Sequence, residues 1–225
     1  MSPMPSLKEI YDRLYNAFGP QNWWPGETPF EVLVGAILVQ NTAWANVEKA
    51  IRNLREEGLM CPKRLYRLKD AELEELIRPC GYYRIKARRL KNVLRYLLKR
   101  HDGSLEQMFR LPIDQLRREL LEINGIGPET ADSIILYAGN LPTFVVDAYT
   151  HRIFSRHGWV DPEADYHTLK EFFESQLEPD AALYNEYHAL LVRLGKDYCK
   201  KRPRCQACPL EIYLPDGQPY DAWLE

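Results

Sequence analysis

No stretch of this 225-residue chain is apolar over the roughly 20 residues that a membrane-spanning helix requires. The opening Met-Ser-Pro-Met-Pro-Ser has neither a basic flank nor an apolar core, so no secretory leader is expected and a cytoplasmic location is. No segment alternates polar and apolar residues over a strand's length between turn signals, and Val145-Val146 is too short to count. A sheet-built fold is thereby excluded. An excess of one charge is also lacking: 30 Lys and Arg against 32 Asp and Glu leave a net charge of −2. That excludes the massive positive field of a histone-like protein but leaves room for a local basic footprint. Cysteine is scarce. Cys61 and Cys80 stand alone and read as small buried apolar groups, whereas Cys199, Cys205 and Cys208 crowd together. In a reducing compartment such crowding points to a metal or cluster rather than disulfides. There is no internal repeat and no low-complexity linker.

What is present is helical period along nearly the whole chain. Leu7, Ile10, Tyr11, Leu14, Tyr15 and Phe18 form one stripe, and Ser6 with Glu9 three residues on reads as a capping box at its start. Phe30 to Val39 is apolar almost all round, the pattern of a helix buried on every side. Further stripes run through Val47–Leu54, Leu73–Ile77, Leu90–Leu98, Ile113–Leu121, Ala131–Ala138, Leu169–Phe173 and Leu183–Leu194. These predict an all-α fold of roughly ten helices joined by short loops, with an irregular tail from Pro209. The helix through Leu90 also carries Arg84, Lys86, Arg88, Arg89, Lys91, Arg95, Lys99 and Arg100, a solvated basic face or a phosphate footprint. His151, His157, His167 and His188 have no metal-ligand spacing and are expected to be surface or packing residues.

The most specific signal spans residues 118–147: a helix, the turn Asn124-Gly125-Ile126-Gly127-Pro128, a second helix, then Phe144-Val-Val-Asp147. Gly125 and Gly127 permit backbone angles that other residues avoid, and Pro128 suits the first position of a helix. Such a hairpin aims backbone N–H groups and a positive helix end outward, where a phosphate can sit. A single well-placed acid, Asp147, follows. A phosphate cradle with one acid suggests an enzyme that grips a nucleic-acid backbone; Asp147 as a plain helix N-cap is the bland alternative.

The hairpin with Asp147, the block Leu38-Val-Gln40-Asn-Thr42, the block Gly81-Tyr-Tyr-Arg-Ile-Lys-Ala87 and Cys205-Gln-Ala-Cys208-Pro together resemble the helix-hairpin-helix DNA glycosylases, the superfamily of endonuclease III. The resemblance runs from about Gln21 to Pro209. It implies two helical lobes with a DNA-binding cleft between them: a six-helix domain over residues 24–137 that includes the hairpin, and a second domain made of residues 1–23 with 138–225. It also implies a monomer acting on double-stranded DNA that holds a damaged base, flipped out of the duplex to be reached.

Residue by residue, Asp147 falls on the family's catalytic aspartate. Glu129, the second catalytic candidate and equally a first-turn acid favoured by the helix dipole, stands where bifunctional members carry the lysine that forms a Schiff base with the sugar. A carboxylate cannot do this, so base release without strand cleavage is implied. Gly125, Ile126 and Gly127 match the DNA-gripping turn. Gln40 matches a side chain inserted into the gap left by the flipped base, Tyr82 a wedge opposite it, and Lys86 a phosphate contact. Asn22-Trp23-Trp24-Pro25 resembles the bacterial 3-methyladenine DNA glycosylase III type, in which paired tryptophans and an aromatic of the next helix, here Trp44, line the base pocket. An aromatic sandwich of Trp24 and Trp44 would attract a cationic, methylated purine.

Cluster-bearing members use four cysteines spaced C-x6-C-x2-C-x5-C. Here the first gap holds five residues and Leu214 stands at the last position. Cys199, Cys205 and Cys208 are therefore an incomplete [4Fe–4S] set, and no cofactor is required for the implied chemistry. The leading expectation is a monofunctional DNA glycosylase removing alkylated purines such as 3-methyladenine. Two alternatives stay open: an endonuclease III-like enzyme for oxidised pyrimidines or mismatched bases, and a non-catalytic DNA-binding module.

Overall fold

The computed structural model describes residues 4–220. Among them, twelve α-helices follow one another with no strand, as the periodicity requires. They are α1 (Leu7–Phe18), α2 (Pro29–Leu38), α3 (Trp44–Glu56), α4 (Pro62–Arg67), α5 (Asp70–Leu76), α6 (Tyr83–His101), α7 (Leu105–Met108), α8 (Ile113–Leu121), α9 (Pro128–Ser133), α10 (Ala148–Arg156), α11 (Tyr166–Glu174) and α12 (Ala181–Asp197). The count exceeds the sequence expectation because α4 and α7 are only 6 and 4 residues long, too short to carry a period. The tail after Pro209 holds only short 3-10 turns.

The chain forms two compact units. The central unit is residues 24–141, and the terminal unit is made from both flanks of the sequence. The division falls after Leu141 rather than after residue 137. Helical α9 runs on into a π-type turn over Ile134–Ala138, and the N–H groups of Gly139 and Leu141 still reach back to Ile134 and Ile135.

In the central unit, α2 is buried on every side, with Leu33, Val34, Ile37 and Leu38 fully enclosed. Each such side chain is worth about 1.5–3 kcal/mol on burial. Thr28 begins the helix by accepting from the Glu31 N–H at 3.2 Å, and Pro29 occupies its first position. Glu31 is the polar residue inside this apolar helix; both its carboxylate oxygens take a bond from Arg55 at 2.8 Å, which offsets the cost of burying the charge. The stripes of α3, α6, α8 and α9 close around α2.

In the terminal unit, α1 lies on α12 through Leu7, Ile10 and Leu14, and the Tyr187 hydroxyl donates to the Leu7 carbonyl at 2.9 Å. An aromatic cluster fills the rest: Phe144 stacks on Phe173 with ring centroids 4.0 Å apart, and Tyr184, Tyr187 and Phe154 meet this pair edge-on. α10 packs closely on α12 because Gly195 has no side chain. A Cβ there would lie 2.3 Å from the Tyr149 ring. That close approach lies near the end of α12, and Asp147 at the start of α10 lies beside His188 in the middle of α12.

Candidate active site and nucleic-acid interface

The hairpin of the central unit is shaped by packing as well as by glycine. Gly125 has φ +97°, and a Cβ at this position would sit 2.3 Å from the Arg89 side chain. Arg89 lies across the turn and donates to the side-chain amide oxygen Oε1 of Gln40. Gln40 in turn donates to Thr130 Oγ1 at 2.8 Å and to the Gly125 carbonyl at 3.4 Å, while Asn92 donates to the Asn124 carbonyl at 3.0 Å. Below the turn, Arg117 on α8 grips Asp132 on α9 through bonds of 2.8 and 3.1 Å. Ile126 plugs the inside of the turn: its side chain is buried and its N–H is spent on the Ile123 carbonyl at 3.0 Å. Gly127 is exposed, with open space where a side chain would be, and α9 starts there with no side-chain cap. Glu129, in the first turn of α9, is exposed.

Gln40 and Lys86 therefore differ from expectation. Gln40 is a strut between α6, the hairpin and α9. Lys86 is 1% exposed and donates to the Cys80 carbonyl at 2.7 Å, so its ammonium closes the turn before α6 instead of meeting phosphate. Burial lowers the pKa of Lys86 and pushes the neighbouring Cys80 thiol up to about 11. The sequence held the signal for this. Lys86 stands four residues before Leu90 on the buried stripe of α6. Tyr82, by contrast, is 70% exposed and sits at φ +46°, a left-handed conformation rare for a bulky residue.

Asp147 begins α10 in the terminal unit. Its Oδ1 accepts from the Thr150 N–H at 2.8 Å and from the Thr150 hydroxyl at 3.0 Å. Its Oδ2 lies 3.7 Å from His188 Nε2 on α12, too long for a direct hydrogen bond but within ion-pair distance of a protonated imidazole. The carboxylate is 12% exposed, so it is not sealed into a packed interior. Burial pulls its pKa upward, yet His188 and the two Thr150 contacts outweigh that and leave it below the usual aspartate range. Asp147 is thus both an N-cap and an ionised acid with one oxygen left over. His188, expected as a mere packing residue, is the functional candidate that sequence reasoning missed. Its signal was a histidine on the buried face of α12, between Tyr187 and Leu191.

Trp24 and Trp44 meet at the surface of α2, where they line an open groove with Pro25, Glu48 and Arg52. Gly35 makes this possible: a Cβ on it would lie 3.3 Å from both indoles. The rings do not form a sandwich. They stand at 90° with centroids 5.2 Å apart, so no flat base fits between them; a base lies against one face and meets the other ring edge-on. Trp44 Nε1 donates to Glu48 at 2.8 Å, and Tyr137 backs Trp24 at 4.9 Å. Trp23 does not line this groove. It belongs to the terminal unit, where Lys196 lies 5.6 Å over its ring.

Cys199, Cys205 and Cys208 line one small cavity together with Leu214, so hydrocarbon stands where a fourth thiolate is needed. Arg156 is 1% exposed and donates to the Lys200 carbonyl at 2.6 Å, to the Lys201 carbonyl at 3.1 Å and towards Cys199 Sγ at 3.4 Å. Burial raises the Cys205 thiol and pushes Cys208 up to about 11. Among the described residues no group of three or more His, Cys, Asp or Glu side chains is disposed to hold a metal. These donors do not fit a four-thiolate cluster.

Comparison with known proteins agrees with this geometry. The model of the HhH-GPD superfamily of base excision DNA repair proteins matches residues 34–179. A Methanocaldococcus jannaschii protein, named provisionally as a DNA repair glycosylase, is 49% identical over 209 residues, covering 92% of this chain and 94% of its own. Endonuclease III of Thermotoga maritima is 34% identical over 187 residues, 81% of each chain. Among solved structures, a 3-methyladenine DNA glycosylase of H. pylori bound to 1,N6-ethenoadenine gives a TM-score of 0.75 at 30% identity, over 85% of this chain and 98% of that one. A non-covalent endonuclease III–DNA complex gives 0.80 at 25% identity, over 95% and 97%.

Proposed function

The chain belongs to the HhH-GPD superfamily of base excision DNA repair proteins, and from that premise we propose that it is a monofunctional glycosylase that releases alkylated purines from double-stranded DNA. It is a DNA glycosylase, a hydrolase of N-glycosyl bonds; the absence of lyase chemistry and the choice of lesion are the proposal.

The observation that carries the reading is the state of Asp147. A carboxylate held ionised, with Oδ1 locked into the cap of α10 and Oδ2 free of that cap, suits a reaction whose transition state is positive at the sugar. The target nucleotide leaves the stack and exposes C1′. The C1′–N bond breaks, and its electron pair departs with the base. A cationic alkylated base leaves as a neutral molecule and needs no protonation. Oxocarbenium charge grows on the sugar opposite Asp147, and a water adds its oxygen to C1′ while its proton passes to the carboxylate. The products are the free base and an abasic site. Glu129 supports a reaction that stops there, because a carboxylate offers no amine for a Schiff base. The indoles of Trp24 and Trp44 support a flat, electron-poor base as substrate. The hairpin is read as a phosphate grip and Tyr82 as a wedge in the duplex.

The test is an excision panel on duplexes carrying 3-methyladenine, 7-methylguanine, thymine glycol, uracil and mismatched adenine. Release of the methylated purines with intact strands is expected. Preferred release of thymine glycol, or a covalent adduct trapped by borohydride, overturns the reading in favour of an endonuclease III-like activity.

A further inference from the structure

We propose that Glu48 is a specificity-determining residue, one that tunes the Trp24–Trp44 groove to occupants carrying positive charge. The inference rests on the glycosylase reading and names the electrostatic class of base that the site takes.

The argument begins with the sign of the groove. A protein that binds a polyanion gains from positive charge on the contacted surface. This groove has the opposite balance: Glu27, Glu31 and Glu48 line it against Arg52 and Arg55. Glu27 and Glu31 are both committed to Arg55, at 3.0 and 2.8 Å. Glu48 is differently engaged. Its Oε1 accepts the Trp44 indole N–H at 2.8 Å, one helical turn away on α3. That bond has two effects. It ties the indole N–H to the next turn of α3, and it puts a formal negative charge on the polar edge of the ring. A carboxylate hydrogen-bonded to an indole N–H increases the electron density over the ring, which strengthens the attraction of its face for a cation. The same carboxylate repels phosphate and offers an uncharged base nothing of comparable strength. Gly35 adds the shape, since the two rings converge closely over its bare Cα. Two indoles with a carboxylate bonded to one of them are matched to a planar cation and poorly matched to the DNA backbone.

Glu48→Gln isolates the charge, because glutamine keeps the side-chain length and an oxygen that accepts from the Trp44 N–H. The probe is quenching of intrinsic tryptophan fluorescence by 7-methylguanosine in its cationic form and by guanosine, measured on the full chain without DNA. The wild-type protein is expected to bind the cation in preference, and Glu48→Gln is expected to reduce that preference roughly fivefold. Circular dichroism reports that the variant is folded. Equal affinity of the wild-type protein for the two nucleosides, or an undiminished preference in folded Glu48→Gln, overturns the inference. The excision panel is independent of this result. Equal binding of the two nucleosides by the wild-type protein, with intact release of methylated purines, refutes the role of Glu48 alone, whereas strong discrimination by the wild-type protein without release of any methylated purine refutes the proposed function alone.

Discussion

Two helices of this protein begin in opposite ways. α9 starts at Gly127, which has no side chain and gives the helix no cap. α10 starts at Asp147, whose carboxylate caps its own helix. Each start is fixed from outside, the first by Arg89 and the Arg117–Asp132 pair, the second by the close approach of α12 at Gly195. The difference bears on the roles proposed for each. A helix end left uncapped at an exposed glycine turn leaves its positive pole open, as the reading of the hairpin as a phosphate grip requires. A helix end closed by its own acid consumes one carboxylate oxygen and holds the other in a fixed direction. Of the two acids near these starts, Glu129 on α9 is exposed, whereas Asp147 is largely enclosed and held by the cap of α10.

That contrast has measurable consequences. Asp147→Asn should lower single-turnover base release about a thousandfold while DNA affinity persists. Asparagine caps as well as aspartate, so the loss reports charge and not a frayed helix. The same variant tests the pH dependence. The pKa of Asp147 is depressed in the folded state, so its ionisation adds stability that is complete above the ordinary value of 3.8 and is lost as pH falls through the lower folded value. Thermal melts of the wild-type protein and Asp147→Asn should therefore differ least in strong acid; a gap that widens on acidification contradicts the pairing with His188 and Thr150. His188→Phe, which keeps an aromatic ring but removes the nitrogen facing Oδ2, should slow single-turnover excision roughly tenfold with unchanged DNA affinity. Equal losses in binding and rate would make His188 a packing residue only. Gly125→Ala meets both a positive φ and the Arg89 side chain, and should weaken DNA binding roughly tenfold through a distorted turn while excision at saturating DNA is retained. The smallest effect belongs to Glu129→Gln, less than about threefold on excision, since an exposed first-turn acid is not held against the reacting sugar.

Local signals made much of the molecule legible. The glycines and proline of the hairpin, the capping box of α1 and the all-apolar run of α2 act over a few residues, and each sits where its pattern puts it. What escaped sequence reasoning depends on contacts between distant segments. His188 meets Asp147 from α12, forty-one residues further along the chain. Gln40 is recruited by Arg89 and Thr130, from two other helices. Trp24 and Trp44, from segments twenty residues apart, meet over Gly35. Lys86 is the exception, a charged residue in phase with an apolar stripe, whose inward placement could be read from α6 alone.

Tyr82 has a backbone conformation in which a side chain costs of order 1–3 kcal/mol, and its ring is largely in water. Folding gains nothing from an aromatic there; glycine would serve the turn better. Under the proposed reading of Tyr82 as a wedge, what offsets that cost is the duplex and not the scaffold.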